Sequence, residues 1–212
     1  MTEDNKVQWI YASRNNEELE QRYDVWAAEY DRNLDESFGW VGPKVGAQVF
    51  ARHVPKSAVI LDAGAGTGLV GIELKELGYA DITAMDMSQG MLDEAAKKGV
   101  YRKLDQMVLG QKLDYADGAF DAVISIGVLT LGHAPAESLD ELVRVTKSGG
   151  HVVFSLRPDV YEEQGFKEKQ SALEAAGRWR LVEVSDRVKI MPKGEPEVEH
   201  QVWVYRARSD GE

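Results

Sequence analysis

Short apolar runs alternate with helical segments through most of this chain, and that alternation limits the folds it can adopt. The runs are SAVILD from Ser57, DITAMD from Asp81, a weak one within YRKLDQMVL from Tyr101, FDAVISIGVL from Phe120 and HVVFSLR from His151. Most of the segments between them have apolar residues at the spacing of a helix, with residues that typically begin or end helices at their ends. Alternating strands and helices predict a parallel sheet with right-handed crossovers.

The carboxyl-terminal part of the chain has a different pattern. WRLVEVSDRVKI and HQVWVYRA are two strand-like runs with no helical segment between them, which predicts an antiparallel pair. The fold class we expect is therefore α/β, a Rossmann-like doubly wound sheet of seven strands. The sheet is expected to be mostly parallel, with the antiparallel pair at its C-terminal end.

The length of the sequence and its lack of repeats and linkers predict one domain. The 212 residues contain no repeat and no Pro/Gly/Ser-rich linker, and two independent cores would be cramped at this length. We expect a single domain over residues 1–212, with residues 1–14 loosely held, cap helices over 15–52 and a Rossmann-like core over 57–207. The N-terminal helix is predicted from Asn15 to Asn33.

Composition excludes several functional classes. The formal net charge of −11 disfavours nucleic acid as a partner, and basic residues are interleaved with acidic ones. The absence of cysteine excludes disulfides and thiolate chemistry, and the four scattered histidines show no metal-ligand spacing, so no metal is expected. We found no signal sequence and no run that approaches the roughly 18 apolar residues of a membrane span, which favours a cytoplasmic protein without membrane contact.

The stretch VILDAGAGTGLVG, residues 59–71, indicates a site for a nucleotide-like ligand. Gly66, Gly68 and Gly71 match the dinucleotide pattern literally, but the first glycine of that pattern should follow the strand directly. Because the strand is expected to end at Leu61 or Asp62, the glycines in the right register are Gly64, Gly66 and Gly68. The literal match is therefore out of register with its strand.

Asp62 distinguishes between the possible ligands. A carboxylate at this position repels phosphates at close range but suits a ligand with an ammonium and a sulfonium. Gly64 and Gly66 would let the backbone approach such a ligand. The alternative is that Asp62 only caps the following turn.

A second acid marks a nucleoside. Asp86 ends the second predicted strand, eighteen residues after Gly68, where α/β folds place the acceptor for ribose hydroxyls. Met87 follows and could lie against an adenine face, although a core position is the alternative. Asp86 could instead cap the following helix, but Ser88 is better placed for that role.

Together, ILDAGAGTG, AMDMS, FDAVISIGVL and VTKSGGHVVFSLR resemble the class I S-adenosylmethionine-dependent methyltransferases, over roughly residues 23–206. The resemblance implies that Asp62 lies near the methionine amino group, that Asp86 binds the ribose hydroxyls and that Met87 flanks the adenine. It also implies that residues 109–111 approach the adenine edge, without the acid many relatives have there, and that residues 126–128 line the methionine end. The predicted cofactor site comprises Tyr23, Trp26, Tyr30, Asp62, Ala63, Gly64, Gly66, Thr67, Gly68, Asp86, Met87, Leu109, Gly110, Gln111, Ile126, Gly127 and Val128.

The segment YDVWAAEYD resembles the N-terminal cap of many small-molecule methyltransferases. Tyr23, Trp26 and Tyr30 share one helix face and are the candidates to close over the methionine part of the cofactor, although such a stripe can also be packed core. We expect Asp24 and Asp31 to be solvated or to cap locally.

His133 is the candidate general base, because it follows the fourth strand at the edge of the sheet that carries the site. A structural loop histidine is the alternative. Trp40 and Arg157 are candidates for the substrate wall; the alternatives are a cover for the core and an ion pair with Asp159.

These features predict in-line methyl transfer from S-adenosylmethionine to a small molecule, with S-adenosylhomocysteine as product and no metal. One alternative is a module that binds S-adenosylmethionine without turnover. Another is a nicotinamide-dependent reductase, which the lack of a Tyr-x-x-x-Lys pair after the fourth strand disfavours. The methyl acceptor and the oligomeric state are not predicted.

Overall fold

In the computed structural model, which describes residues 9–10, 12–130 and 132–208, the chain forms a seven-stranded sheet covered by helices. The helices are α1 (Asn16–Asn33), α2 (Gly42–Ala51), α3 (Leu69–Glu76), α4 (Gln89–Lys97), α5 (Ser138–Val145), α6 (Pro158–Glu163) and α7 (Phe166–Ala175). The strands are β1 (Val59–Ala63), β2 (Asp81–Asp86), β3 (Lys103–Gln106), β4 (Phe120–Ser125), β5 (Thr146–Leu156), β6 (Trp179–Val184) and β7 (Gln201–Ala207). A π-helical turn over Leu34–Phe38 continues α1.

The strand order is β3-β2-β1-β4-β5-β7-β6, and this order confirms the predicted fold class. The first five strands pair in parallel, and β7 runs antiparallel to both β5 and β6. The chain moves outward in one direction from β1 to β3 and in the other from β4. The boundary between β1 and β4 is therefore a topological switch point, where open α/β sheets bind their ligands.

Helices cover both faces of the sheet, as a doubly wound fold requires. Ile60 and Ile124 point into one apolar cluster, which includes Phe50 of α2 and Leu74 of α3. The alternate residues of the strands, such as Leu61, belong to a second cluster with α5 and α7. Burial on both faces explains why these strands read as continuous apolar runs.

Several element boundaries differ from the expected ones. The sequence DVYEEQGFKEKQSALEAAG, from Asp159 to Gly177, predicts one helix, but the structure contains two, because Gly165 adopts a left-handed conformation with φ of 77° between α6 and α7. The strand expected from His151 begins five residues earlier, at Thr146, so that the KSGG turn belongs to β5. The sequence after FGWVGP predicts a helix from Lys44 to Arg52, but the helix starts at Gly42, with Pro43 in its first turn, where a missing N–H is harmless.

The N-terminal prediction lies partly outside the described residues, because residues 1–8 and 11 do. Helix α1 begins as predicted: the Asn15 side chain accepts a hydrogen bond from the Glu18 N–H and caps it. Within the described ranges we found no helix with the length and apolar character needed to cross a membrane.

Candidate functional site

A cavity of about 170 Å³ lies at the switch point, between the carboxyl ends of the central strands and the N-terminal helix α1. Most of the predicted site residues line it. They are Tyr23, Trp26, Tyr30, Trp40, Gly64, Gly66, Thr67, Asp86, Met87, Leu109, Ile126, Gly127, Val128 and His133. Six predicted residues are not part of its wall: Asp62, Ala63, Gly68, Gly110, Gln111 and Arg157.

The glycine loop follows β1 directly and folds across its end. Gly64 has a φ of 77°, and a Cβ there would lie 2.5 and 2.6 Å from the methyl carbons of Val128. The N–H groups of Gly64 and Ala65 both donate to the Met85 carbonyl, at 2.8 and 2.9 Å. The loop is thus held between β2 and the segment after β4, and only glycine fits at its first position.

Gly71, the last glycine of the literal dinucleotide pattern, makes room for a side chain. It lies in α3, and a Cβ there would lie 2.4 Å from the hydroxyl oxygen of Tyr101. The Gly71 N–H donates to that same hydroxyl at 3.1 Å. Its role in this structure is therefore packing against Tyr101, which agrees with the predicted register.

Asp62 lies inside the protein, 1% exposed, as the fourth residue of β1. The Tyr101 hydroxyl donates to its Oδ2 at 2.6 Å, and Oδ1 has no hydrogen-bond partner among the described residues. Burial raises the pKa of the Asp62 carboxyl to about 7, against the effect of the Tyr101 hydrogen bond, and the charge of Asp86 adds to the rise. The raised pKa favours the protonated form of Asp62 at neutral pH more than for an exposed aspartate.

Asp86, at the end of β2, connects the glycine loop with the start of α4. Its Oδ2 accepts from the Gly66 N–H at 2.8 Å, and its Oδ1 accepts from the Ser88 N–H at 2.9 Å. Ser88 caps α4 through the Met91 N–H, as predicted. Burial raises the pKa of the Asp86 carboxyl, while the two backbone hydrogen bonds oppose that rise.

Helix α1 forms a lid over the cavity. Tyr30 packs edge-on against both Tyr23 and Trp26, with ring centroids 6.3 and 4.7 Å apart. Trp26 is 4% exposed and its indole N–H donates to Asn33 at 2.8 Å. Trp26 is buried, Tyr23 and Tyr30 are half-buried, and all three line the cavity. That they cover the methionine part of the cofactor stays a prediction.

The expectation that Asp24 and Asp31 are solvated or cap locally holds only in part: Asp24 is exposed, but both side chains also join the lid to the core. Asp24 accepts from the Ser88 hydroxyl at 2.6 Å and from the Gly90 N–H at 2.9 Å, at the N-terminus of α4. Asp31 accepts from the Thr67 hydroxyl of the glycine loop and pairs with Lys98 at 2.7 Å. The lid is therefore held by the same two segments that are predicted to hold the cofactor.

His133 and Tyr23 meet at the wall of the cavity. The Tyr23 hydroxyl lies 2.6 Å from His133 Nε2, and the rings are 5.7 Å apart, although 110 positions separate the two residues. Trp40 also lines the wall, and its ring lies close to Gly42 and Gly127. It thus both packs on the backbone and faces the cavity.

Arg157 forms the ion pair with Asp159 that was the alternative to a place in the substrate wall. Its guanidinium binds Asp159 through two hydrogen bonds of 3.0 and 2.7 Å, away from the cavity wall. Burial, together with the nearby charge of Arg157, lowers the pKa of His200 to about 4. The structure therefore gives no support to Arg157 as a substrate clamp.

Sequence reasoning missed Tyr101, Asp24 and Asp31. Gly71 inside α3 was a signal for Tyr101, because a glycine within a helix often marks a close approach. No local signal indicated the partners of the two aspartates, since those partners come from distant parts of the chain.

This geometry agrees with comparisons against known proteins. A sequence model described as a methyltransferase domain matches residues 61–154, which hold the last three residues of β1, all of β2, β3 and β4, and the glycine loop. Together with the relatives below, this match places the chain in the class I S-adenosylmethionine-dependent methyltransferase family.

Two curated relatives show what the chain is similar to. It is 37% identical over 165 residues to the human methyltransferase-like protein 27, covering 74% of this chain and 66% of that protein. It is 32% identical over 176 residues to the malonyl-[acyl-carrier protein] O-methyltransferase of Legionella pneumophila, covering 79% of this chain and 58% of that protein. The chain thus spans less than two thirds of the length of either relative.

Solved structures share the fold at low sequence identity. The [4+2]-cyclase SpnF superposes with a TM-score of 0.73 at 15% identity, over 92% of this chain and 98% of that one. A TehB-like S-adenosylmethionine-dependent methyltransferase from Corynebacterium glutamicum has a TM-score of 0.64 at 20% identity, over 89% and 100% of the two chains. A Haloferax volcanii methyltransferase complex with the activator Trm112 has a TM-score of 0.67 at 17% identity, over 88% and 98%.

Proposed function

We propose that this protein transfers the methyl group of S-adenosylmethionine to a small molecule and releases S-adenosylhomocysteine. One observation supports this most strongly. The glycine loop, Asp86, the aromatic residues of the lid and His133 all line one cavity at the switch point. Methyl transfer requires groups that bind a nucleoside and groups that position an acceptor to share one cavity.

The buried acids fit a cationic cofactor. Asp62 and Asp86 are close enough for the charge of one to raise the pKa of the other, and Asp62 Oδ1 is unpaired within the described part of the chain. A nearby positive charge stabilises two such carboxylates, whereas a pyrophosphate would be repelled by them. This favours S-adenosylmethionine over a dinucleotide.

Specific residues would hold this cofactor. Asp86, with its place fixed by Gly66 and Ser88, would accept the ribose hydroxyls, and Met87 and Leu109 would flank the adenine. Trp26 and Tyr30 would cover the methionine part. When bound, the cofactor supplies a sulfonium-activated methyl group; the protein aligns the acceptor with it and excludes water. His133 would act as the base where the acceptor has to lose a proton.

The wall of the cavity favours a small acceptor. It is lined by aromatic and aliphatic side chains such as Leu19 of α1, Leu34 and Trp40. A largely apolar cavity suits a small ligand rather than a polymer, and the net charge of −11 disfavours nucleic acid. We include in the proposal a cytoplasmic location and a single functional unit, in which a cap over residues 15–52 serves the core over 57–207.

Calorimetry tests the cofactor part of the proposal. We expect S-adenosylmethionine to bind with a micromolar dissociation constant, and Asp86→Ala to abolish the heat. Asp93→Ala removes an exposed acid of α4 instead, and it should bind normally. No heat from the unaltered protein at millimolar cofactor would refute the proposal. S-adenosylhomocysteine formed with a metabolite mixture, but not without one, separates an enzyme from a module that only binds.

A further inference from the structure

Tyr23 and His133 form a hydrogen-bonded pair whose two members come from different segments of the site. Tyr23 belongs to the lid helix α1, and His133 belongs to the loop after β4. Their polar atoms are 2.6 Å apart, a short distance for an O–H···N contact, and both side chains line the cavity. Both are only partly buried, so the pair faces the space that an acceptor would occupy.

The surroundings of this pair are poor in charge. Of the described residues that line the cavity, Asp86 is the only Asp, Glu, Lys or Arg. The described wall therefore offers no Lys or Arg to bind a phosphate or a carboxylate of an acceptor, whereas much of it is aromatic. An anionic acceptor would lose its hydration there without such a partner from the described wall, which is costly.

We propose that Tyr23 and His133 act as one proton-accepting pair toward an uncharged aromatic acceptor that bears a hydroxyl group. This inference rests on the proposed methyltransferase function and names its substrate class. The acceptor oxygen forms a bond to the methyl carbon as the bond from that carbon to sulfur breaks, and the electron pair stays on sulfur. The acceptor proton passes to the Tyr23 oxygen, and the Tyr23 proton passes to His133 Nε2.

The geometry assigns the contact with the acceptor to Tyr23 rather than to Nε2 of the histidine. In the Nδ1–H tautomer, the Nε2 lone pair accepts the Tyr23 hydroxyl and is therefore not free for the acceptor. His133 then receives its proton through Tyr23 and does not contact the acceptor itself. Because Tyr23 is on α1 and His133 follows β4, the pair requires α1 to lie against that loop, which couples the proton acceptor to the covering of the cavity.

Nitrogen NMR tests the pair without any acceptor. We expect His133 in the complex with S-adenosylhomocysteine to be the Nδ1–H tautomer, with Nε2 shifted by an accepted hydrogen bond. That shift should disappear in Tyr23→Phe and persist in Tyr161→Phe, a control tyrosine that packs on Trp203 away from the cavity. An Nε2–H tautomer would overturn the relay.

Kinetics with two matched probes test the chemistry. We expect α-naphthol to be methylated and para-hydroxybenzoate, which carries a carboxylate, to react far more slowly. Tyr23→Phe and His133→Asn should each lower kcat for α-naphthol about 100-fold, the usual contribution of a positioned proton acceptor. KM and the cofactor dissociation constant should change less than about twofold, because phenylalanine retains the covering ring. The double variant should be no slower than either single one.

The opposite results are equally clear. An unchanged kcat in Tyr23→Phe overturns the role of the pair, and so does a drop that is matched by weaker cofactor binding. Faster methylation of para-hydroxybenzoate, or no methylation of α-naphthol by protein that binds S-adenosylmethionine, overturns the acceptor class. Absence of cofactor binding instead refutes the proposed function itself.

Discussion

Cofactor binding is expected to release a proton from Asp62. Burial raises the pKa of this carboxyl to about 7 in the protein without ligand, and the Tyr101 hydroxyl is its hydrogen-bond partner. If the methionine ammonium lies near Asp62, its positive charge favours the ionised form and lowers that pKa. The cofactor then binds the deprotonated protein better, so its affinity rises with pH.

The size of the effect follows from the pKa of about 7. With that value, Asp62 is protonated to a fraction of about 0.9 at pH 6 and about 0.5 at pH 7, and those fractions are the protons released per cofactor bound. The apparent dissociation constant should fall about eightfold between pH 6 and pH 7.5. Higher pH is avoided, because an α-amino group itself titrates at about 7.7–8.0.

Calorimetry in two buffers with different ionisation enthalpies measures this proton release directly. Asp62→Asn keeps the shape of the side chain but cannot titrate. It should bind more weakly, with an affinity that changes little between pH 6 and 7.5. Equal proton release by Asp62→Asn and the unaltered protein would refute the reasoning, as would a dissociation constant that does not change with pH in the unaltered protein.

Three other predictions concern the loop, the lid and the last strand. Gly64→Ala should destabilise the fold by about 2–3 kcal/mol in chemical denaturation and abolish cofactor binding. The reason is that its Cβ would lie 2.5 Å from Val128, at a residue whose backbone is left-handed. Normal cofactor binding by this variant would contradict the prediction. Asp24→Ala should weaken cofactor binding about fivefold in calorimetry and speed hydrogen exchange in α1. The substitution removes about 1 kcal/mol of partly solvated hydrogen bonds to Ser88 and Gly90. Unchanged hydrogen exchange would show that Asp24 does not hold α1 against α4. Burial lowers the pKa of His200 to about 4, so the unfolded state takes up the proton first, and the free energy of unfolding should fall by about 3 kcal/mol from pH 6.5 to 4. His200→Leu should flatten that dependence in denaturation at several pH values, and an equal slope in both proteins would contradict it.

Much of the fold was predictable because its signals are local. Apolar runs such as ILDA and FDAVIS depend only on residues adjacent in the chain. The order of the β and α segments then limits the topology, because parallel strands need right-handed crossovers. The break between α6 and α7 was missed because a glycine is tolerated inside a helical pattern, and only the left-handed φ at Gly165 shows that the helix stops there.

The sequence by itself determined the α/β class, the register of the glycine loop and the acids at residues 62 and 86, because each follows from spacing along one strand and its loop. Tertiary structure alone decided the surroundings of those residues. It buried Asp62 against Tyr101, joined Asp24 to the start of α4 and brought Tyr23 within hydrogen-bond distance of His133. Burial and contacts between distant segments set the pKa of a carboxyl and the partner of a hydroxyl, and neither is encoded in local periodicity.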